Sequence, residues 1–168
     1  DHLEKSPREL PSLQRLYYGA SPIPEATLYR LFDALPGCQA TQLYGQTEAA
    51  PMITLLEGRY HVKEGPDAGR LRSAGRAMPC VEVRILDEHD VEVPRGEVGE
   101  VCARGPNVMQ GYWGMPEQTA TTLRGGWLHT GDAAWMDEDG FVYITDRLKD
   151  MIISGGENVC STEVENAL

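Results

Sequence analysis

"LQRLYYGASPIPEATLYRLFDALPGCQATQLYG", residues 13–45, decides the fold. Its first eight residues, Leu13 to Ala20, are largely apolar and end at a glycine, which predicts a buried strand. Leu28, Leu31, Phe32 and Leu35 then recur at helical spacing, Pro24 suits a first helical turn, and Pro36-Gly37 supplies the stop. "ATQLYG", Ala40 to Gly45, predicts a second strand. Strand, helix, strand with glycine or small residues at both strand ends is a βαβ unit, whose ligands sit beyond the carboxyl ends of the strands. Gly19, Ala20 and Ser21 are thus expected on one rim with Gly45, Gln46, Thr47 and Glu48.

From about Arg70 the pattern changes. In "CVEVRIL", Val81, Val83 and Ile85 alternate with Glu82 and Arg84, which predicts a half-buried antiparallel strand. "VEV", "EVCARG" and "GFVYITD" repeat the pattern between turns, so a small antiparallel barrel or sandwich is expected. "MPEQTATTLRGG" predicts a short helix with Pro116 in its first turn. "STEVENAL" opens another, with Thr162 and Glu165 at capping-box spacing, yet the sequence stops there. A helix cut so short cannot bury its face alone, so the chain reads as an excerpt.

Acidic residues outnumber basic ones 26 to 15, for a formal charge of −11, and no Lys/Arg-rich run offers a track for phosphates. Nucleic acid is therefore not expected as a partner. Cys38, Cys80, Cys102 and Cys160 are scattered, with no close pair for zinc or redox chemistry, and read as free thiols in a reducing cytoplasm. No apolar run predicts a transmembrane segment, and "DHLEKSPREL" is unlike a signal peptide.

Two segments offer chemistry. "LYGQTEAAP" puts Tyr44, Thr47 and Glu48 on one strand-end loop, where a ring could stack on a base, a hydroxyl could meet a phosphate and a carboxylate could hold magnesium. A polar loop with a packed tyrosine fits equally well. "WLHTGDAAW" places Asp132 after a Thr-Gly turn, able to accept from two ribose hydroxyls, although an aspartate capping its own turn is the simpler reading. His129 nearby invites a hydrolase triad, but "GASPI" around Ser21 does not form a nucleophile elbow. "DEDG" lacks the remaining ligands of a calcium loop and reads as a tight turn, and Asp87, Glu88 and Asp90 read as a solvated hairpin tip.

In this order "LYGQTE", "GEVCARGPNVMQGYW", "GWLHTGD", "DGFVYITDRLKDMIISGGENV" and "STEVENAL" resemble the adenylate-forming superfamily, nearest to its acyl-CoA synthetases for fatty and related acids. The resemblance runs from about Leu13 to the last residue. It implies an enzyme that activates a carboxylic acid, fatty or aryl, with ATP and Mg2+ to an acyl-adenylate, then passes the acyl group to coenzyme A. It implies that Gly19, Ala20 and Ser21 line the adenine pocket beside Tyr44 and Gly45, that Thr47 meets the α-phosphate, and that Glu48 holds the metal. Asp132 would take the ribose hydroxyls with help from Arg147. Lys149 would be the hinge of a small carboxy-terminal domain, and Gly155-Gly156 would swing to the pantetheine path.

The implied fold is mixed α/β. Residues 1–69 would end a βαβ nucleotide-binding subdomain, 70–146 would form an antiparallel β-barrel-like subdomain, and 147–168 would hold the hinge and the start of a small α+β domain. The family's Ser/Thr/Gly-rich phosphate loop and its late catalytic lysine are not in these 168 residues, and Cys160-Ser161 replace a common aromatic and proline. Asp146 replaces a frequent glycine. The excerpt is thus expected to be inactive alone, and a homo-oligomer is possible for the parent. The alternative is a non-catalytic module that binds nucleotide weakly or a protein partner; carrier-protein acylation and luciferase-like oxidation are variants within the family.

Overall fold

The computed structural model describes Leu10, residues 12–21 and 23–148, and the backbone of two further strands, Ile152–Ser154 and Glu157–Val159. Lys149, Gly155, Gly156, Cys160, Ser161 and the expected terminal helix lie outside the described residues.

Strand β1 (Arg15–Gly19) runs parallel to β2 (Gln39–Tyr44), with Gly19 beside Leu43 and helix α1 (Glu25–Ala34) between them in sequence. The βαβ unit is therefore present. Pro24 is not in the first turn of α1 but just before it, with ψ of 138°, because its fixed ring serves the entry to the helix. Antiparallel strands β3 (Thr54–Leu56) and β4 (Arg76–Ala77) complete the first sheet in the order β1-β2-β3-β4.

The second sheet is an antiparallel meander of β5 (Glu82–Leu86), β6 (Gly99–Arg104), β7 (Leu128–Met136) and β8 (Val142–Arg147), in that order. The expected barrel-like subdomain takes the form of this open sheet, with β5 and β8 at its edges among the described residues. Helix α2 (Pro116–Thr122) lies in the connection from β6 to β7 with proline in its first turn, and β9 (Ile152–Ser154) pairs with β10 (Glu157–Val159). "VEV" supplies only a bridge between Leu86 and Glu92, because Asp87 draws the N–H groups of His89 and Val91 into a tight tip.

Alternation holds only over part of the edge strand, since Leu86 is buried on the face of Glu82 and Arg84, and it fails inside. On β5, Glu82 and Arg84 stay on the wet face, where Arg84 and Arg104 both donate to Glu82. On β6, Val101, Cys102 and Ala103 are all fully buried, so both faces of the central strand are covered. Val101 packs with Ile85, Ala134, Met136 and Val142, while Ala103 packs with Ala49, Ile53 and Leu128. Tyr44, from the first sheet, packs against both clusters.

Backbone bonds stitch the two sheets together. Ala74 N–H donates to Val142 O at 2.7 Å and Val142 N–H to Gly75 O at 2.9 Å, while the buried Thr54 hydroxyl donates to Ala74 O at 2.6 Å. Gly75 has φ of +82°, and a Cβ there would run into the Leu55 carbonyl. Only glycine satisfies both constraints. Gly75→Ala should therefore lower stability by at least about 2 kcal/mol in urea unfolding, combining a left-handed backbone with a backbone collision. An unchanged midpoint would mean the seam does not need this approach.

A second device braces the βαβ unit. His61 Nδ1–H donates to Glu57 O at 3.0 Å, which leaves Nε2 to accept from the Tyr18 hydroxyl at 2.9 Å, and both Tyr18 and Phe32 meet the imidazole edge-on. Burial pushes the Tyr18 hydroxyl up to about 12 and lowers the His61 pKa, the bond to Glu57 opposing the latter only in part. The folded state therefore binds the imidazole proton less well than the unfolded chain, whose His titrates near 6.5. This contribution is complete above about pH 6.5 and is lost as pH falls below it. The thermal midpoint should drop between about pH 7 and pH 5.5, and His61→Gln should flatten part of that drop. Identical pH profiles would exclude His61 as the cause.

Candidate functional site

The ends of β2 and β8 and an irregular stretch of β7 meet at one carboxylate. The Tyr44 hydroxyl donates to Asp132 Oδ2 at 2.7 Å, and Arg147 Nε lies 3.2 Å from Asp132 Oδ1. Asp132 faces Arg147 across the β7–β8 ladder. The aspartate side chain is 12% exposed and the arginine side chain 59%, so a sunken acid lies under a guanidinium open to solvent. Burial and the Asp132 charge push the Tyr44 hydroxyl far above its usual range, which keeps it a donor. Its ring is held between the two core clusters.

Asp132 owes its position to a slip in pairing. Glu100 pairs with Ala133 and Cys102 with His129, so Thr130, Gly131 and Asp132 together oppose Val101 alone. The extra residues bulge from the ladder. Gly131 turns there with φ of +76°. Each displaced group finds a partner: Gly131 N–H donates to Glu100 Oε1 at 2.9 Å, Asp132 N–H to Thr130 Oγ1 at 3.1 Å, and the Thr130 hydroxyl to Val101 O at 2.8 Å. Leu148 N–H donates to Gly131 O at 2.9 Å. Thr130 and Glu100 therefore cap this turn. The simpler reading of Asp132 as its own turn cap is corrected, since its carboxylate faces Tyr44 and Arg147 and not its own turn.

The βαβ rim is built by close backbone approach. A Cβ on Gly19 would strike the Leu43 carbonyl and one on Gly45 the Pro51 carbonyl, while Ala20 has φ of 71° and, with Ser21, is exposed. Beyond Gly45, Thr47–Ala49 form one 3-10 turn, with Thr47 exposed and Glu48 half-buried. Glu48 is tied to the β6–β7 connection: its Oε1 accepts from the Tyr112 hydroxyl at 2.7 Å, and its carbonyl accepts from Met109 N–H at 2.8 Å. A carboxylate has about four lone-pair sites, so that bond leaves capacity for a hard cation such as magnesium. Tyr44, Asp132 and Arg147 thus form one contact group, and Glu48 is anchored to Tyr112. Lys149, Gly155 and Gly156 have no place in this geometry because they lie outside the described residues.

Glu100, Cys102 and His129 form a second cluster, with ligand atoms within 4.8 Å of one another. Hydrogen bonding accounts for it better than a metal. His129 Nδ1 lies 2.8 Å from Glu100 Oε2, the oxygen that also accepts from Arg124 at 3.2 Å, while the other oxygen takes Gly131 N–H. Burial pushes the Cys102 thiol well above its ordinary range, with the Glu100 charge adding to the effect. Tyr112, Thr130 and Glu100 were not singled out as site residues from sequence. "GEVCARG" contains Glu100, but nothing in strand alternation marks a carboxylate that reaches a neighbouring turn.

Known proteins share this arrangement of strands and motifs. Residues 1–113 match the family described as AMP-binding enzyme. The medium/long-chain-fatty-acid–CoA ligase FadD8 of Mycobacterium tuberculosis is 46% identical over 171 aligned residues, spanning 100% of this chain and 28% of that protein. A feruloyl-CoA synthase of an Amycolatopsis species is 48% identical over 160, spanning 95% of this chain and 31% of that protein. The o-succinylbenzoate CoA synthetase MenE of Bacillus subtilis, solved with its acyl-adenylate intermediate, superposes with a TM-score of 0.86 at 33% identity, over 99% of this chain and 33% of that one. The chain spans about a third or less of the length of these relatives. With most of its length matched by the family and its fold shared with a solved member, the chain belongs to the AMP-binding, adenylate-forming enzymes.

Proposed function

We propose that this chain is part of an AMP-forming acyl-CoA synthetase, in which it supplies the ribose-binding carboxylate, the metal-binding acid and the hinge. The observation that carries the reading is Asp132, sunken, oriented by Tyr44 and paired with the solvent-exposed Arg147. A ribose diol presents two neighbouring hydroxyl donors, and a fixed carboxylate with free lone pairs is a complementary acceptor. Arg147 offsets the negative charge that would otherwise face an anionic nucleotide.

In the first half-reaction a carboxylate oxygen of a fatty or aryl acid attacks the α-phosphorus of ATP and pyrophosphate leaves. Thr47, exposed at the rim, would donate to the α-phosphate, and Glu48 would hold Mg2+, which would supply positive charge to neutralise phosphate oxygens. Gly19, Ala20, Ser21 and Gly45 give the adenine a close backbone wall, and Tyr44 closes its edge. In the second, the sulfur of coenzyme A attacks the acyl carbon and AMP leaves. Lys149 is the pivot and Gly155-Gly156 line the thiol's path; the bond from Leu148 N–H to Gly131 O fixes the segment up to that pivot.

The division at 1–69, 70–146 and 147–168, a homo-oligomeric parent and a cytoplasmic location belong to the same proposal. The free thiols of Cys38, Cys80 and Cys102 support that location. No described helix is long and apolar enough to cross a membrane. The chain alone should bind nucleotide weakly without making acyl-adenylate, which acid-dependent exchange of labelled pyrophosphate into ATP measures.

In the full-length protein, Asp132→Ala should weaken ATP and AMP binding together by about 10- to 150-fold, the value of a hydrogen bond to a charged group. Unchanged affinity in a folded variant, by calorimetry, would end the ribose reading. The hinge predicts a different split. Gly156→Leu should slow thioester formation while leaving adenylation intact in single-turnover assays. Equal losses in both half-reactions would show that the glycine pair does not serve the thiol step.

A further inference from the structure

We infer that Glu100 is a positioning residue for nucleotide binding, acting through the β7 bulge to hold Asp132 in its ribose-accepting orientation; this rests on the ribose reading of Asp132. Glu100 touches none of the three residues of that contact group. It is 11% exposed on its side chain, and its two oxygens do different work. Oε1 accepts Gly131 N–H at 2.9 Å, the donor of the residue immediately before Asp132. Oε2 is gripped by His129 Nδ1 at 2.8 Å and Arg124 at 3.2 Å, and Arg124 is in turn held by Asp90 at 3.1 Å. The grip fixes the carboxylate, and the carboxylate fixes the turn.

The turn needs fixing because it has left the ladder. Three residues of β7 oppose Val101 alone, so on the β6 side the strand pairing that would orient Asp132 is missing, and its one ladder partner is Arg147 of β8. Gly131 adopts φ of +76° with nothing within 4 Å of where its Cβ would be, so side-chain packing does not hold it either. What remains is hydrogen bonding from Glu100, Thr130 and Leu148. Thr130 ties the turn to β6 through Val101 O and holds the Asp132 N–H, while Glu100 is the β6 side chain that takes the Gly131 N–H. Without Oε1 the Gly131 peptide can rotate, and Asp132 swings off the line between Tyr44 and Arg147.

The test is ribose discrimination in the full-length protein, read as the affinity ratio of AMP to 2′,3′-dideoxy-AMP by calorimetry. Wild type should prefer AMP by about tenfold or more, and Asp132→Ala should abolish that preference. Glu100→Ala should bring it below about threefold, and the Glu100→Ala/Asp132→Ala pair should bind no worse than Asp132→Ala alone. Glu100→Asp keeps the charge beside Arg124 but withdraws the oxygen by one methylene; it should behave like the alanine variant and decides the matter if that variant does not fold. Glu100→Gln keeps an oxygen for Gly131 N–H but turns an NH2 toward Arg124, so it should retain more of the preference than Glu100→Ala and less than wild type. Folded Glu100→Ala or Glu100→Asp variants that still prefer AMP, or that lose both ligands equally, overturn the inference while the ribose reading stands. An Asp132→Ala protein that still prefers AMP overturns the ribose reading itself, and this inference with it.

Discussion

The contact from Tyr44 to Asp132 is where the two sheets become one structure. Tyr44 ends the parallel strand pair, yet its ring packs into both clusters around the antiparallel meander and its hydroxyl meets Asp132 88 residues later. Burying a tyrosine hydroxyl without a partner would cost a few kcal/mol, so packing and polar satisfaction have to be achieved at the same point. The Ala74-Gly75 seam with Val142 holds the sheets at the distance this requires. Displacing either sheet would break the apolar contact and the hydrogen bond together.

Some of this was legible in the sequence for clear reasons. The βαβ unit follows from local period and punctuation, with Leu28, Leu31, Phe32 and Leu35 on one face and glycine at the strand end, and it appears with the expected strands. The five ordered motifs marked the family. Alternation at Val81, Val83 and Ile85 found an edge strand, because Glu82 and Arg84 keep part of its other face in water before Leu86 is buried there. It could not describe β6, whose consecutive Val101, Cys102 and Ala103 are buried on both faces. The bulge at Thr130-Gly131-Asp132 was equally hidden: register is a relation between two strands, and Gly131 alone does not say which partner its N–H will find. Composition placed Asp132 as a cap of its own turn, whereas Thr130, two residues before it, and Glu100, 31 residues from Gly131, take that role.

The charge of the chain sharpens the proposed chemistry. At −11 it offers no general attraction to a nucleotide, although screening confines that repulsion to about 8 Å at physiological salt. Affinity must then come from local donors, and a carboxylate is an expensive neighbour for phosphate. Asp132 is tolerable in such a site only where it faces neutral hydroxyls and has its own charge matched. Tyr44 and Arg147 do the matching from two different strands, and Glu48, the other acid at the rim, is useful near phosphate only with a divalent cation between them. Under the proposed function the two acids would divide the nucleotide between them, the one with fixed protein partners taking the sugar and the one with spare coordination taking the metal. That division follows from how each is held, since Asp132 is caught between two sheets while Glu48 is fastened by one tyrosine hydroxyl and its own carbonyl.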